Sequence, residues 1–373
     1  MRIVFTGGGT GGHFFPILAT VRELKRIAEE EHILDLELFY VGPDDFGVDL
    51  LKEEQVVSLV IPSGKMRTYA SAANVLDIFK LVFGSLQALW NMFLIMPDVV
   101  FSKGGYGALP TVLAAILFRI PLILHESDAV PGKVNRFAAR FADRIGIAFA
   151  NVADQFPKKK TAQVGIPIRK RILGGNREEA KESMNVFSQL PVVGVIGASQ
   201  GSQKINETLL EVLKDLTDEA EVLHQTGVKN YDTIVSEAKA IVEFGHKEHY
   251  HPFGFLNEGE VRDFYMASDL LVSRAGASSI FEIAAWGKPS VLLPLRIAAQ
   301  DHQRKNAYEY AATGAATIVE EDNLTPHILL AEIRKILGNP EMMKKMGVAA
   351  QRFARIDSAE VIAREILKLG VHE

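Results

Sequence analysis

Short apolar runs recur along the chain, separated by longer stretches whose apolar positions step by three and four. The runs fall at 2–6, 36–41, 56–61, 98–102, 122–125 and 144–148, and again at 192–196, 221–225, 269–273, 290–294 and 316–319. Runs of this length bounded by turn residues predict buried strands, and the intervening period predicts helices packed on them. Strand alternating with helix is the rhythm of a parallel sheet. A Lys-rich stretch punctuated by Gly and Pro, 158–173, interrupts it, and the rhythm then restarts. The boundary is placed at Gly165-Ile166-Pro167. The expectation is an α/β chain of two doubly wound domains with a cleft between them, binding ligands at the carboxyl ends of the strands.

The halves echo one another. Asp98-Val-Val-Phe-Ser-Lys-Gly-Gly is followed by Ala114-Ala115 and Pro121, and Asp269-Leu-Leu-Val-Ser-Arg-Ala-Gly by Ala284-Ala285 and Pro289. Each reads as one strand–turn–helix–strand unit, whether by repetition or by common architecture. The segment 75–96 is as long as a membrane span and carries no charge from Leu81 onward. Its polar residues, Asp77, Lys80, Gly84-Ser85, Gln87 and Asn91, return at steps of three and four, giving a helix with one polar stripe. Two uses of its apolar remainder stand side by side: packing against the sheet on two sides, or an exposed flank on a bilayer.

A chain of 373 residues is too long for one small module, and 48% hydrophobic with 23% charged residues excludes disordered, collagenous and coiled-coil classes. With no cysteine, disulfides, zinc–thiolate sites, iron–sulfur clusters and cysteine nucleophiles are excluded. The N-terminal residues run directly into glycines, so no signal peptide is expected. The net charge of −5 hides an asymmetry: residues 65–170 hold 14 Lys and Arg against 6 Asp and Glu. An acidic chain without a nucleic-acid module points this basic region at a phosphate ligand or an anionic phospholipid rather than at nucleic acid.

Three glycine turns stand between a strand and a helix: Gly7-Gly8-Gly9-Thr10-Gly11-Gly12-His13, Lys103-Gly104-Gly105-Tyr106-Gly107 and Gly197-Ala198-Ser199-Gln200-Gly201-Ser202. Such a turn lets backbone amides at a helix N-terminus approach a phosphate, although a lone glycine turn is more often only a tight turn. No Lys-Ser or Lys-Thr follows as a triphosphatase loop requires, and Tyr40-Val41-Gly42-Pro43 stands where a dinucleotide oxidoreductase carries an acidic residue. Two anionic ligands, one per domain, are expected.

Gly8-Gly9-Thr10-Gly11-Gly12-His13, Gly104-Gly105-Tyr106, His125-Glu126 with Pro131-Gly132 and Asn135, Gly197 to Gly201, His224-Gln225 with Gly227, and Arg274 to Ala284 together resemble the MurG family. These are bacterial glycosyltransferases that move N-acetylglucosamine (GlcNAc) from UDP-GlcNAc to undecaprenyl-diphosphate-MurNAc-pentapeptide (lipid I) in peptidoglycan synthesis, serving cell shape and division. The matches run in order to about Asn306. The resemblance implies the GT-B fold of two Rossmann-like domains. Residues 1–166 would form the acceptor and membrane-facing domain, joined by a C-terminal helix within about 348–373, and 167–347 the UDP-GlcNAc-binding domain.

It also implies roles. Glu282 would hold the ribose hydroxyls, Ser199 the diphosphate, Ala277, Ser278, Ser279, Ile280 and Phe281 the phosphates and sugar, and Leu256 the uracil. Thr10, Gly11, Gly12, Asp128, Arg169 and Gln303 match further donor positions. Gly9, Gly104, Gly105, Tyr106 and Asn135 would take the acceptor diphosphate. One departure stands out: Glu126-Ser127-Asp128 replaces the family's Glu-Gln-Asn, and a carboxylate accepts from a sugar hydroxyl but cannot donate to an acetamido oxygen.

No Asp-x-Asp pair occurs, so no metal and no cofactor are expected, and leaving-group charge would be met by dipoles and donors. His246, His249 and His251 read as surface histidines in a charged connection. His13 is the expected general base: its ordinary pKa near 6.5 leaves it largely neutral at pH 7, and the helix N-terminus disfavours imidazolium. Its competing role is to orient the acceptor diphosphate, with Glu126 as the alternative base. Lys133, Arg136, Arg140 and Arg144 step by three and four, so on a helix they would line one face toward anionic lipid at the cytoplasmic side of the cell membrane, as a peripheral enzyme. The rivals are a lipid glycosyltransferase with a diacylglycerol acceptor and a non-catalytic nucleotide-sugar-binding protein.

Overall fold

The computed structural model describes residues 1–8, 11–33, 35–43, 47–64, 72–197, 201–242 and 247–371, with the backbone alone for 72–76, 247 and 299. The chain divides into two compact units, Met1–Arg169 with Arg355–Glu373, and Lys170–Ala354.

The first unit is built on a parallel sheet of β1 (Arg2–Thr6), β2 (Glu37–Gly42), β3 (Val57–Val60), β4 (Val99–Ser102), β5 (Leu122–Glu126), β6 (Arg144–Ile147) and β7 (Thr161–Gln163), in the order β3-β2-β1-β4-β5-β6-β7. Helices α1 (Gly11–Glu30), α2 (Val48–Glu53), α3 (Ala72–Ile95), α4 (Leu109–Phe118) and α5 (Lys133–Ala138) connect the strands. The central strands are buried on both faces, so their side chains fill two cores. Aspartates set the register where a crossover returns to the sheet. Asp98 donates its amide to Arg2 O at 2.8 Å while its carboxylate accepts the Arg2 amide at 2.7 Å. Asp143 makes the same reciprocal pair with Leu122.

The second unit repeats the plan with β8 (Val192–Ile196), β9 (Glu221–Gln225), β10 (Tyr250–Phe253), β11 (Leu270–Ser273), β12 (Ser290–Leu292) and β13 (Ala316–Ile318), ordered β10-β9-β8-β11-β12-β13 and all parallel. Its helices are α6 (Arg177–Ser183), α7 (Gln203–Thr217), α8 (Tyr231–Val242), α9 (Glu258–Ala267), α10 (Ala277–Ala285), α11 (His302–Ala311), α12 (Pro326–Leu337) and α13 (Pro340–Phe353). Asp269 pairs with Val192 as Asp98 does with Arg2, at 2.7 and 2.9 Å. The sequence echo is thus a physical equivalence.

Several expectations are corrected. Strands β7 and β10 lie outside the predicted pattern because they are short edge strands carrying Gln163, His251 and Pro252 rather than an apolar run. The single C-terminal helix is two: α13 ends at Phe353, and α14 (Ser358–Gly370) starts after a break in which Ala354 is extended. Ser358 Oγ donates to Val164 O, and α14 packs Ile362, Ala363 and Ile366 into the first unit's core, with Arg364–Glu31 at 2.7 Å alongside.

The basic stripe does not form on one helix, since α5 stops at Ala138. Arg140 lies in the following turn and Arg144 opens β6, paired with Glu365 at 3.2 Å. The Asp143–Leu122 pair and the burial of Ile145 and Ile147 draw this segment into the sheet against its helical spacing. The histidines are not a surface cluster: His249 Nδ1 bonds Thr217 O at 2.8 Å, and His251, on β10, bonds the buried Glu221 at 2.7 Å. His246 lies outside the described residues.

Candidate functional site

The carboxyl ends of β1, β4 and β5 stand side by side, because β4 pairs with β1 on one side and β5 on the other. Three turns therefore meet there. From the first come Gly7 and Gly8, then Gly11, Gly12 and His13 in the opening turn of α1. Gly9 and Thr10 lie outside the described residues. From the second come Lys103, Gly104 and Gly105, both glycines at φ +80, and then Tyr106. His13 and Gly105 are brought together: a Cβ on Gly105 would stand 3.4 Å from His13 Nε2. A Cβ on Gly104 would stand 2.6 Å from the Asn135 amide atoms. Gly104→Ala combines that clash with left-handed backbone strain and is expected to cost about 1–3 kcal/mol, read as a Tm lowered by several degrees.

The third turn, after β5, is organised by Glu126. Its buried carboxylate accepts the Asp128 amide at 3.1 Å, the Gly132 amide at 2.8 Å and Asn135 Nδ2 at 3.0 Å. Asn135 Nδ2 also donates to His125 O at 3.1 Å, so Asn135 braces the turn from inside. Burial, and then the Asp128 carboxylate, raise the Glu126 pKa above its ordinary value. Asp128 itself is half-buried at the turn.

Beneath these turns lies a cluster that sequence reasoning left without a role. Lys103 is 1% exposed; its Nζ lies 2.8 Å from His125 Nδ1 and donates to Ser127 Oγ. His125 Nε2 lies 2.7 Å from Gly165 O and donates to it, which leaves Nδ1 as the acceptor facing Lys103. Burial first, and the Lys103 ammonium second, hold the imidazole neutral, well below its usual range. Burial pushes Lys103 down to about 8, while Glu126 and Asp128 favour its charge. The only sequence signal was a cation ending an apolar strand at the position Arg274 takes in the echo. Arg169 is buried with its guanidinium carbon 3.9 Å from the Phe15 ring centroid, on the first turns of α1.

In the second unit, Gly276 opens α10, and the backbone of Ala277, Ser278 and Ser279 forms its first turn, the dipole's positive end. Ile280 and Phe281 are buried in the core. Glu282 is half-buried and accepts a hydrogen bond from the Tyr265 hydroxyl at 3.1 Å. Tyr265, fully buried on α9, is a second residue the sequence did not single out. Gln303 accepts the Leu295 amide at 3.0 Å. Leu256 is buried and its neighbour Phe255 is exposed. Ser199 lies outside the described residues.

Two family models match the chain. Residues 3–147 match the glycosyltransferase family 28 N-terminal domain and residues 192–362 its C-terminal domain. The chain is similar to the UDP-N-acetylglucosamine–N-acetylmuramyl-(pentapeptide) pyrophosphoryl-undecaprenol N-acetylglucosamine transferase 2 of Bacillus thuringiensis subsp. konkukian, 34% identical over 92% of this chain and 93% of that protein. The transferase of the same name, without a number, from Legionella pneumophila strain Paris is 35% identical over 90% and 88%. The crystal structure of Acinetobacter baumannii MurG superposes with a TM-score of 0.74 at 25% identity, over 98% of this chain and 99% of that one. The chain belongs to glycosyltransferase family 28, with the two parallel-sheet, Rossmann-like halves of the GT-B fold.

Proposed function

We propose that this chain transfers GlcNAc from UDP-GlcNAc to the 4-hydroxyl of the muramyl sugar of lipid I, with inversion at the anomeric carbon, giving lipid II for peptidoglycan. The observation that carries this reading is a match to both family halves in order, with relatives named for this reaction covered over about nine tenths of their length. The second unit takes the donor. Glu282, oriented by Tyr265, accepts from the ribose hydroxyls, and the first turn of α10 meets the diphosphate with backbone amides. Gln303, the Leu256 backbone and Ser199 are its further proposed donor contacts.

The first unit takes the acceptor. The Gly104-Gly105-Tyr106 turn and Gly9 hold its diphosphate by backbone amides, with Asn135 bracing the turn. His13 removes the hydroxyl proton as the anomeric carbon becomes oxocarbenium-like and UDP departs with the bonding electron pair. Glu126, whose oxygens already accept three N–H groups, shapes the turn that presents Asp128. The test is UDP release from UDP-GlcNAc with lipid I or diacylglycerol as acceptor. Release with lipid I alone supports this reading, release with diacylglycerol alone supports another lipid glycosyltransferase, and donor binding without release supports a binding protein.

Attachment to the cytoplasmic face of the membrane rests on the outer face of α3. That helix is long and apolar enough to cross a membrane, yet Gly84, Ala88, Met92 and Ile95 on its inner side are packed in the core. Outward it exposes Ile78, Phe79, Val82, Phe83, Leu86 and Trp90, Phe79 by 69% and Trp90 by 62%. Leu117, Phe137 and Phe141 are exposed on the same unit, as are Lys80, Arg119, Lys133, Arg136 and Arg140. Aromatic groups entering the interface, with about 1 kcal/mol per cation near anionic lipid, suffice for reversible binding. Co-sedimentation with vesicles rich in anionic lipid at low salt is expected, and Phe83→Ser with Trp90→Ser should weaken it about tenfold or more. Failure of the native protein to co-sediment would sink the proposal.

A further inference from the structure

The repeat places a cation at one position in both halves: Lys103 follows Ser102 at the end of β4, and Arg274 follows Ser273 at the end of β11. Both are buried, yet they are matched differently. Arg274 meets the Glu321 carboxylate at 2.7 Å, Leu293 O at 3.1 Å and Ser202 Oγ at 2.8 Å, a clamp whose charge has a direct counter-ion. Lys103 bonds two neutral groups, His125 Nδ1 and Ser127 Oγ. A full charge buried against neutral partners is costly, and a neutral donor would bond an imidazole and a hydroxyl as well. Burial disfavours the Lys103 charge and the Glu126 and Asp128 carboxylates of the turn after β5 favour it, while His13 of α1 is the nearby titratable group that affects His125 in the same cluster.

Position strengthens this reading. Lys103 lies directly before Gly104 and Gly105, and a Cβ on Gly7 would touch its own Cβ at 3.1 Å, so the side chain runs beneath two of the glycine turns. Its partners continue to Gly165 through His125, tying β4, β5 and the end of the first unit's sheet into one hydrogen-bonded chain. We propose that Lys103 is a positioning residue of the transfer site: its ammonium fixes the His125 ring and the Ser127 hydroxyl and balances the Glu126 and Asp128 carboxylates, holding their turn in its working geometry. The inference rests on the transferase reading given above.

Lys103→Met keeps the length and removes the charge. It is expected to lower kcat by about 10²-fold through misplacement of the turn, with the KM for UDP-GlcNAc little changed. The acid limb of the kcat profile should also move to higher pH, because protonating Glu126 loosens the turn that its carboxylate holds, and without the Lys103 cation that carboxylate protonates more readily. A folded variant whose kcat falls with the limb unmoved would reduce Lys103 to a structural role and overturn the proposal, as would an unchanged kcat. ¹⁵N NMR of His125 in the native protein needs no variant. A ring protonated at Nε2 alone, with the Nδ1 resonance shifting as Lys103 deprotonates near pH 8, is expected; protonation at Nδ1, or no shift, overturns it. Absence of UDP release by the native protein with lipid I would defeat the transferase reading instead, and the NMR result is independent of it.

Discussion

His13→Ala is expected to lower kcat by about 10² to 10⁴ while leaving UDP-GlcNAc binding close to intact, because on the proposed assignment the variant loses the general base and not a donor contact. His13 sits in the first turn of α1, half-buried, with Nε2 beside Gly105. A ring so placed can meet a hydroxyl held near the Gly104-Gly105 turn, and imidazole is suited to take a proton near neutrality. Glu126 is the competing base, but its oxygens accept the Asp128 and Gly132 amides and Asn135, and its buried carboxylate shapes a turn. If kcat holds within a few-fold while the acceptor KM rises, His13 positions the acceptor and the base lies elsewhere.

Glu282→Ala should raise the KM for UDP-GlcNAc by about 10- to 150-fold, since a charge-assisted hydrogen bond contributes roughly 1.5–3 kcal/mol. The carboxylate is already aimed by the Tyr265 hydroxyl at 3.1 Å, so little ordering remains when the ribose arrives. The variant also leaves the buried Tyr265 hydroxyl without this acceptor, costing about 1–3 kcal/mol of stability. Tyr265→Phe separates the two effects: it should raise KM only a few-fold, with Glu282 still charged. An unchanged KM in a folded Glu282→Ala protein would remove Glu282 from the donor site.

The central strands were legible because strands buried on both faces must be apolar throughout, and glycine turns follow them where a helix has to start close by. β7 and β10 lacked that signal, being edge strands with polar residues. The steps of three and four from Lys133 to Arg144 looked helical, yet the Asp143–Leu122 pair ends the helical course and starts β6. Sequence periodicity sees a neighbour three residues on, not a strand partner 21 residues back. The polar stripe of α3 was equally legible but differently placed: Gly84 is buried and Ser85 bonds Leu81 O at 2.7 Å, so part of the stripe turns inward while aromatic side chains face out. The parts played by Lys103 and Tyr265 are not legible in the sequence for one reason. Their roles come from partners 22 and 17 residues away, which only folding brings within hydrogen-bond reach.

Labelled transfer tests the central claim most directly. UDP-[¹⁴C]GlcNAc is incubated with the protein and lipid I in detergent or vesicles, and label in the lipid-linked product is measured together with UDP released. The account predicts label in a GlcNAc-MurNAc lipid in equal amount to UDP, abolished when the muramyl 4-hydroxyl is blocked. UDP-GlcNAc bound but no labelled lipid formed, or label passing to diacylglycerol in place of lipid I, would contradict it.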